Sequence, residues 1–186
     1  FIVPRAAWVV SDEVAAQSGT DDDDNTIGKI GVSDLLQEGD YVFCVVDNYA
    51  TRKLVFDAAQ KYNNIDIYTG GNDERLFGSV YHYRRREGQD VSLHPATMHD
   101  EFRNPQDRNP GEMSCQERAE LDGGTQLLAI NMAVAAYLLG KAAHTIFPTT
   151  SEEEQAAMEI AEVYLDLELG LSQPYDRRPA LVPVNS

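Results

Sequence analysis

The chain has 186 residues, 42% of them hydrophobic, and a formal net charge of −16. That length suits one domain with a real core, and no run of the roughly 18 apolar residues that a membrane span needs is present. The acidic balance argues against nucleic-acid binding, which requires a basic patch, and favours a basic partner.

Cys44 and Cys115 are the two cysteines. They form neither a CxxC pair nor a disulfide framework, so the expected setting is the reducing cytoplasm. The chain starts at Phe1 and carries no signal-peptide pattern, so we expect a piece of a longer or processed protein. Residues 1–186 read as a single domain.

Ile2 to Val10 is rich in β-formers and reads as a strand broken at Pro4. Four consecutive aspartates follow, and residues 21–25 read as a solvated, self-repelling acidic loop. "VSDLLQE" predicts a short helix with Ser33 as N-cap. The apolar run Tyr41 to Val46 reads as a strand buried on both faces, central in a parallel sheet. Tyr49 to Tyr62 then repeats apolar residues at helical spacing. "IDIYTGG" and "FGSVYHYRRR" read as two further strands, the latter ended by Glu87-Gly88. Strand, helix, strand in this order suggests a right-handed crossover with Ile65–Thr69 beside Tyr41–Val46. Residues 90–121 form a long, weakly patterned segment, a form that compact domains often reserve for function.

"GGTQLLAINMAVAAYLLGKAAH" predicts a helix over about Thr125 to Ala143, apolar almost all round and therefore set in a core or an interface. Ser151 and Glu154 open a second predicted helix over about Glu152 to Ile160. "EVYLDLELGLSQPY" alternates with period two and turns near Gly170, a terminal hairpin or edge strand. Residues 175–186 read as an irregular tail.

The stretch "CVVDNYATR" carries the chemistry. In a doubly wound sheet, ligands bind beyond the carboxyl ends of the strands, where Asp47 is expected. A carboxylate there can hold Mg²⁺ on nucleotide phosphates. Asn48 can both donate and accept, and Arg52 can neutralise a phosphate or fix Asp47 in place. The plain alternative is that Asp47 or Asn48 only caps the helix. His94, His99, Asp100 and Glu101 are metal-capable, but their spacing matches no known ligand motif, and they read as a solvated loop. His82 and His144 read as structural, and Arg84, Arg85 and Arg86 as a solvated strand end.

The order of these motifs resembles the ThiF/MoeB/E1-like superfamily, whose members adenylate the C-terminus of ubiquitin-like proteins. "FCVVDNYATRKLVFDAAQKY" is similar to the family's Asp-Asn strand–helix junction. "GGNDERLFGSVYHY" and "EVYLDLELGLSQP" resemble its following and closing strands, the latter as in stand-alone bacterial ThiF-like proteins. "SCQERAELDGGTQLLAINMAVAAYLL" resembles its later cysteine, glycines and apolar helix. The likeness covers roughly Val32 to Pro174.

The resemblance implies an α/β fold with a Rossmann-like, mainly parallel sheet and added antiparallel strands. It implies ATP and Mg²⁺ as cofactors, with Mg²⁺ at Asp47 and nucleotide contacts from Asp47, Asn48 and Arg52. It also implies a ubiquitin-like or sulfur-carrier protein as partner, and a homodimer. Cys115 falls where some relatives form a thioester with the activated partner. The family's N-terminal glycine-rich turn, its ribose acid and its CxxC zinc pairs have no counterpart here; Gly28-Lys29-Ile30-Gly31 lacks the G-x-G-x-x-G spacing. The chain thus resembles the C-terminal two-thirds of such an enzyme. A non-catalytic E1-like scaffold subunit and an unrelated nucleotide-binding Rossmann protein are the alternatives.

Overall fold

A computed structural model describes residues 7–17, 28–72, 76–109, 128–147 and 160–179. Cys115, the acidic loop, Gly123-Gly124, the predicted helix over 152–159 and residues 180–186 lie outside the described residues.

The fold is a mixed α/β arrangement of two open sheets and is not a barrel. Strand β1 (Ala7–Val10), helix α1 (Asp12–Gln17) and strand β2 (Gly28–Gly31) come first, with β1 and β2 paired in parallel. After a short 3-10 turn come β3 (Tyr41–Cys44), α2 (Tyr49–Ala59), β4 (Ile65–Asn72), β5 (Phe77–Arg86) and β6 (Gln89–Asp90). A second 3-10 turn and the short α3 (Asp100–Arg103) follow. The long α4 (Leu128–Ile146), β7 (Ile160–Asp166) and β8 (Leu171–Asp176) complete the described chain.

The larger sheet has the order β3-β4-β5-β7-β8, with β6 beside β5. Only β3 and β4 pair in parallel, with Tyr41 opposite Asp66 and Cys44 opposite Thr69. All its other pairs are antiparallel. The expectation of a mainly parallel sheet is therefore corrected, and the reason is loop length. Only residues 73–76 join β4 to β5, far fewer than a crossover to a parallel strand requires. The β7–β8 hairpin turns at Gly170, whose φ of 66° suits glycine.

The strand–helix–strand unit and the pairing of β4 with β3 stand as expected. The central position of β3 does not: it is an edge strand of its sheet. Its apolar run is buried on one face only. Cys44 packs in the core, whereas Tyr41, Phe43 and Val45 on the other face are 46%, 42% and 67% exposed. An apolar run resembles a doubly buried strand whether or not neighbours cover its second face.

Two cores flank the sheet. One packs Val55, Phe56, Ala58 and Ala59 of α2 against Ile65, Ile67, Tyr81 and Tyr83. The other packs Ile130, Val134, Leu138 and Ala142 of α4 against Tyr68, Val80, Val163 and Leu165. Those four α4 residues recur every fourth position, a single stripe. Glycines let α4 sit close: a Cβ at Gly78 would stand 2.9 Å from Val134 and 3.0 Å from Ile130. Ser33 does not cap a helix. It lies inside the first 3-10 turn and instead donates its hydroxyl to Asp12 at 2.7 Å.

Candidate functional site

Strand β3 ends at Cys44 and the chain re-enters regular structure at Tyr49. Of the four intervening residues, Val45, Val46 and Asp47 form one rim of a cleft of about 640 Å³. Gly70 and Gly71 of β4 form its floor, and α4 supplies the far wall through Asn131, Val134 and Leu138. The cleft therefore opens beyond the carboxyl ends of the one parallel pair in the larger sheet, where α/β folds place ligands.

Arg52, one turn into α2, is only 4% exposed. Its Nε and Nη2 donate to the Val46 carbonyl at 3.0 and 2.8 Å, and Nη2 also reaches the Gly70 carbonyl at 3.2 Å. The guanidinium lies over the Tyr49 ring, 5.0 Å from its centroid. Among the described residues no carboxylate pairs with it; its positive charge meets the two carbonyls and the Tyr49 ring at the cleft. Gly71 is part of the fit, because a Cβ there would come within 2.6 Å of Arg52 Nη2.

Asp47 is exposed on the rim, and among the described residues nothing hydrogen-bonds or pairs with its carboxylate. It faces both the cleft and an adjoining depression of about 450 Å³ that runs toward β1. Asn48 lines that second depression rather than the cleft. It is the N-cap of α2, its Oδ1 accepting from the Thr51 amide at 2.7 Å. The Tyr49 and Ala50 amides donate to Asp107 at 2.6 and 2.9 Å. The first amides of α2 are thus satisfied by the protein's own side chains, and this helix start does not present free donors to an anion.

Glu101 of α3 lines the same cleft as Asp47 and Arg52. The solvated loop expected here holds for Asp100 and Glu101, which are exposed, but not for the histidines: His94 is buried, and His99 Nε2 stands 2.8 Å from Glu162 Oε1. Burial alone would push the Glu162 carboxyl up. His99, Tyr164 and Arg177 outweigh that and hold it below the ordinary value. Among the described residues no group of three or more His, Cys, Asp or Glu side chains could hold a metal.

Cys44 is buried, and burial pushes its thiol up to about 11, which leaves little thiolate near neutral pH. His82 is structural: it is buried, its Nε2 lies 2.9 Å from Asp66 Oδ1, and its ring stacks on Tyr68. The arginine run is not a solvated strand end. Arg85 pairs with Asp90, and Arg86 Nη2 donates to Asp66 Oδ2 at 2.6 Å. Asp47 and Arg52 are therefore brought together at one cleft, Asn48 is committed to capping, and Cys115 lies outside the described residues. Asp107 was not singled out by sequence reasoning, and Glu101 was read only as a metal-capable residue of a solvated loop; Asp107 reaches the α2 start from 58 residues along the chain, and Glu101 lines the cleft from α3. No protein-family model matches the chain, and no curated protein matches it.

Proposed function

We propose that the chain is part of an E1-like adenylating enzyme, one that uses ATP to adenylate the C-terminal carboxylate of a ubiquitin-like or sulfur-carrier protein. One observation carries this reading. An exposed carboxylate, Asp47, and a buried guanidinium, Arg52, neither with an oppositely charged partner among the described residues, share a cleft at the carboxyl ends of β3 and β4. Mg²⁺ is commonly held by one or two carboxylates together with substrate phosphates. Asp47 fits that role, with Glu101 on the same cleft. Bound there, the ion neutralises phosphate charge, which matters in a chain of net charge −16.

In the reaction, a carboxylate oxygen attacks the α-phosphorus in line, the bond to the β-phosphate oxygen breaks, and pyrophosphate leaves. Arg52 contributes positive charge near the developing anion and holds the rim on which Asp47 stands. Val134 and Leu138 give the cleft an apolar wall that keeps water from competing for the adenylate. The apolar outer face of α4, with Met132 63% and Leu139 64% exposed, is the surface we assign to a homodimer. The buried thiol of Cys44 suits a reducing cytoplasm.

A specific observation also favours the scaffold alternative. Asn48 and Asp107 already occupy the first amides of α2. Calorimetric titration of the full-length protein with Mg–ATP separates the two. The enzyme reading expects saturable binding that weakens when EDTA removes the cation; a scaffold gives no heat of binding.

A further inference from the structure

Helix α4 turns one apolar stripe inward and a second one outward. Ile130, Val134, Leu138 and Ala142 pack in the core. On the opposite side Ala129, Met132, Ala136, Leu139, Ala143 and Ile146 are all exposed. Their spacing alternates between three and four residues, the seam of a coiled coil. Size alternates in step: alanine stands at 129, 136 and 143, and a large apolar side chain at 132, 139 and 146. The Phe147 amide still donates to the Ala143 carbonyl at 2.8 Å, so the stripe ends in a helical turn.

We infer that α4 packs antiparallel against α4 of a second copy across a two-fold axis. Ala129 of one copy meets Ile146 of the other, Ala136 meets Leu139, and Ala143 meets Met132. Every level then holds one small and one large side chain, so the two axes run close and evenly spaced. A parallel pair would set alanine against alanine and leucine against leucine, leaving voids at one level and crowding at the next. The antiparallel register uses the same patch on both copies, as a closed two-fold dimer demands. The inference rests on the homodimer assigned above and specifies how its helices meet.

Area and charge support a second copy as the occupant. Leu128, Met132, Leu139, Ile146 and Phe147 are 72%, 63%, 64%, 42% and 76% exposed. Together they offer roughly 600 Å² per chain before the alanines are added, against about 800 Å² per partner in a standard stable interface. Residues 128–147 contain no Asp or Glu, although the chain carries a net charge of −16. A net charge of that size drives copies apart, and on this face no carboxylate meets another.

The test joins two measurements on the full-length protein. In a Cys115→Ser background, nitroxides attached at Phe147→Cys should lie about 30 Å apart in the dimer, since about 19 residues of helix separate the two ends along the shared axis. A parallel pair would bring the labels within about 15 Å. Sedimentation of unlabelled variants tests the register. Ala136→Leu and Leu139→Ala should each weaken the dimer at least about 10-fold, the first by crowding and the second by a cavity. Mixed, the two variants should pair with each other at close to native affinity, because the enlarged position of one faces the reduced position of the other. Both positions are exposed, so circular dichroism should show each variant folded. Labels within about 15 Å of one another, native dimer affinity in Ala136→Leu, or a mixture no tighter than its components would overturn the inference and leave the homodimer to another surface. A monomeric native chain would overturn both. Neither Ala136 nor Leu139 lines the nucleotide cleft, so Mg–ATP binding reports separately on the proposed function.

Discussion

Arg52 holds the carbonyl oxygen of Val46 with two donors, Nε at 3.0 Å and Nη2 at 2.8 Å. The pair closes the β3–α2 junction and, through the further contact to the Gly70 carbonyl at 3.2 Å, ties it to β4. Arg52→Met keeps the apolar stem and removes these donors, leaving two carbonyls unsatisfied at about 1–3 kcal/mol of stability. For a chain of this size that is a fall in Tm of about 2–12 °C. Thermal unfolding followed by circular dichroism measures it, and an unchanged Tm would show that the contacts contribute nothing.

Gly71→Ala should be costly for the same reason, since its Cβ would stand 2.6 Å from Arg52 Nη2. A double-mutant cycle separates this clash from a general intolerance of a side chain in β4. In the Arg52→Met background the alanine should cost about 1 kcal/mol less than in the native chain. Additive losses would mean that the two residues do not constrain one another.

The Asp66–His82 pair predicts an acid dependence with a definite sign. Burial, despite the opposing pull of Asp66, brings the His82 imidazole down to about 4. The folded state therefore binds fewer protons than the unfolded one, whose histidine titrates near 6.5. The stabilising difference is complete above about pH 6.5 and is lost as pH falls toward about 4. Urea unfolding at pH 7 and pH 5 should show His82→Gln losing about 2 kcal/mol less over that interval than the native chain. Equal losses would remove His82 from the account.

The outer face of α4 makes a prediction about assembly. Leu128, Met132 and Leu139 lie along one exposed flank of this helix, and we assign them to contact with a second copy. Light scattering at micromolar concentration should give the mass of a dimer. Leu139→Glu should give a monomer with its secondary structure intact, because Leu139 is 64% exposed and contributes little to the core. A native chain that is already monomeric contradicts the assignment.

What could be read from the sequence divides along a physical line. β5 and its end at Glu87-Gly88 were legible because the positive φ angles of 52° and 77° there are a local demand. The terminal hairpin was legible from the period-two alternation and Gly170. The placement of Asp47 and Arg52 on one cleft was legible because five residues span a strand end and one helical turn.

The edge position of β3 was not legible, since the exposure of Phe43 depends on which strands lie beside it, and no property of Phe43 records that. Asp107 as the acceptor for the Tyr49 amide was hidden for the same reason, as it arrives from 58 residues along the chain. His99 was misjudged as solvated because its partner Glu162 belongs to β7.

In the proposed function Asp47 serves the nucleotide rather than the helix. Asn48, not Asp47, caps α2, so Asp47→Ala removes an exposed carboxylate that has no partner among the described residues, and it should leave Tm unchanged. The measurement is a calorimetric titration of the full-length protein and its Asp47→Ala variant with ATP, each with Mg²⁺ and with EDTA. The account predicts that the native protein binds Mg–ATP more tightly than metal-free ATP. It predicts that the folded variant binds Mg–ATP at least about 10-fold more weakly and no longer distinguishes the two. Equal affinity of native protein and variant for Mg–ATP would contradict the account.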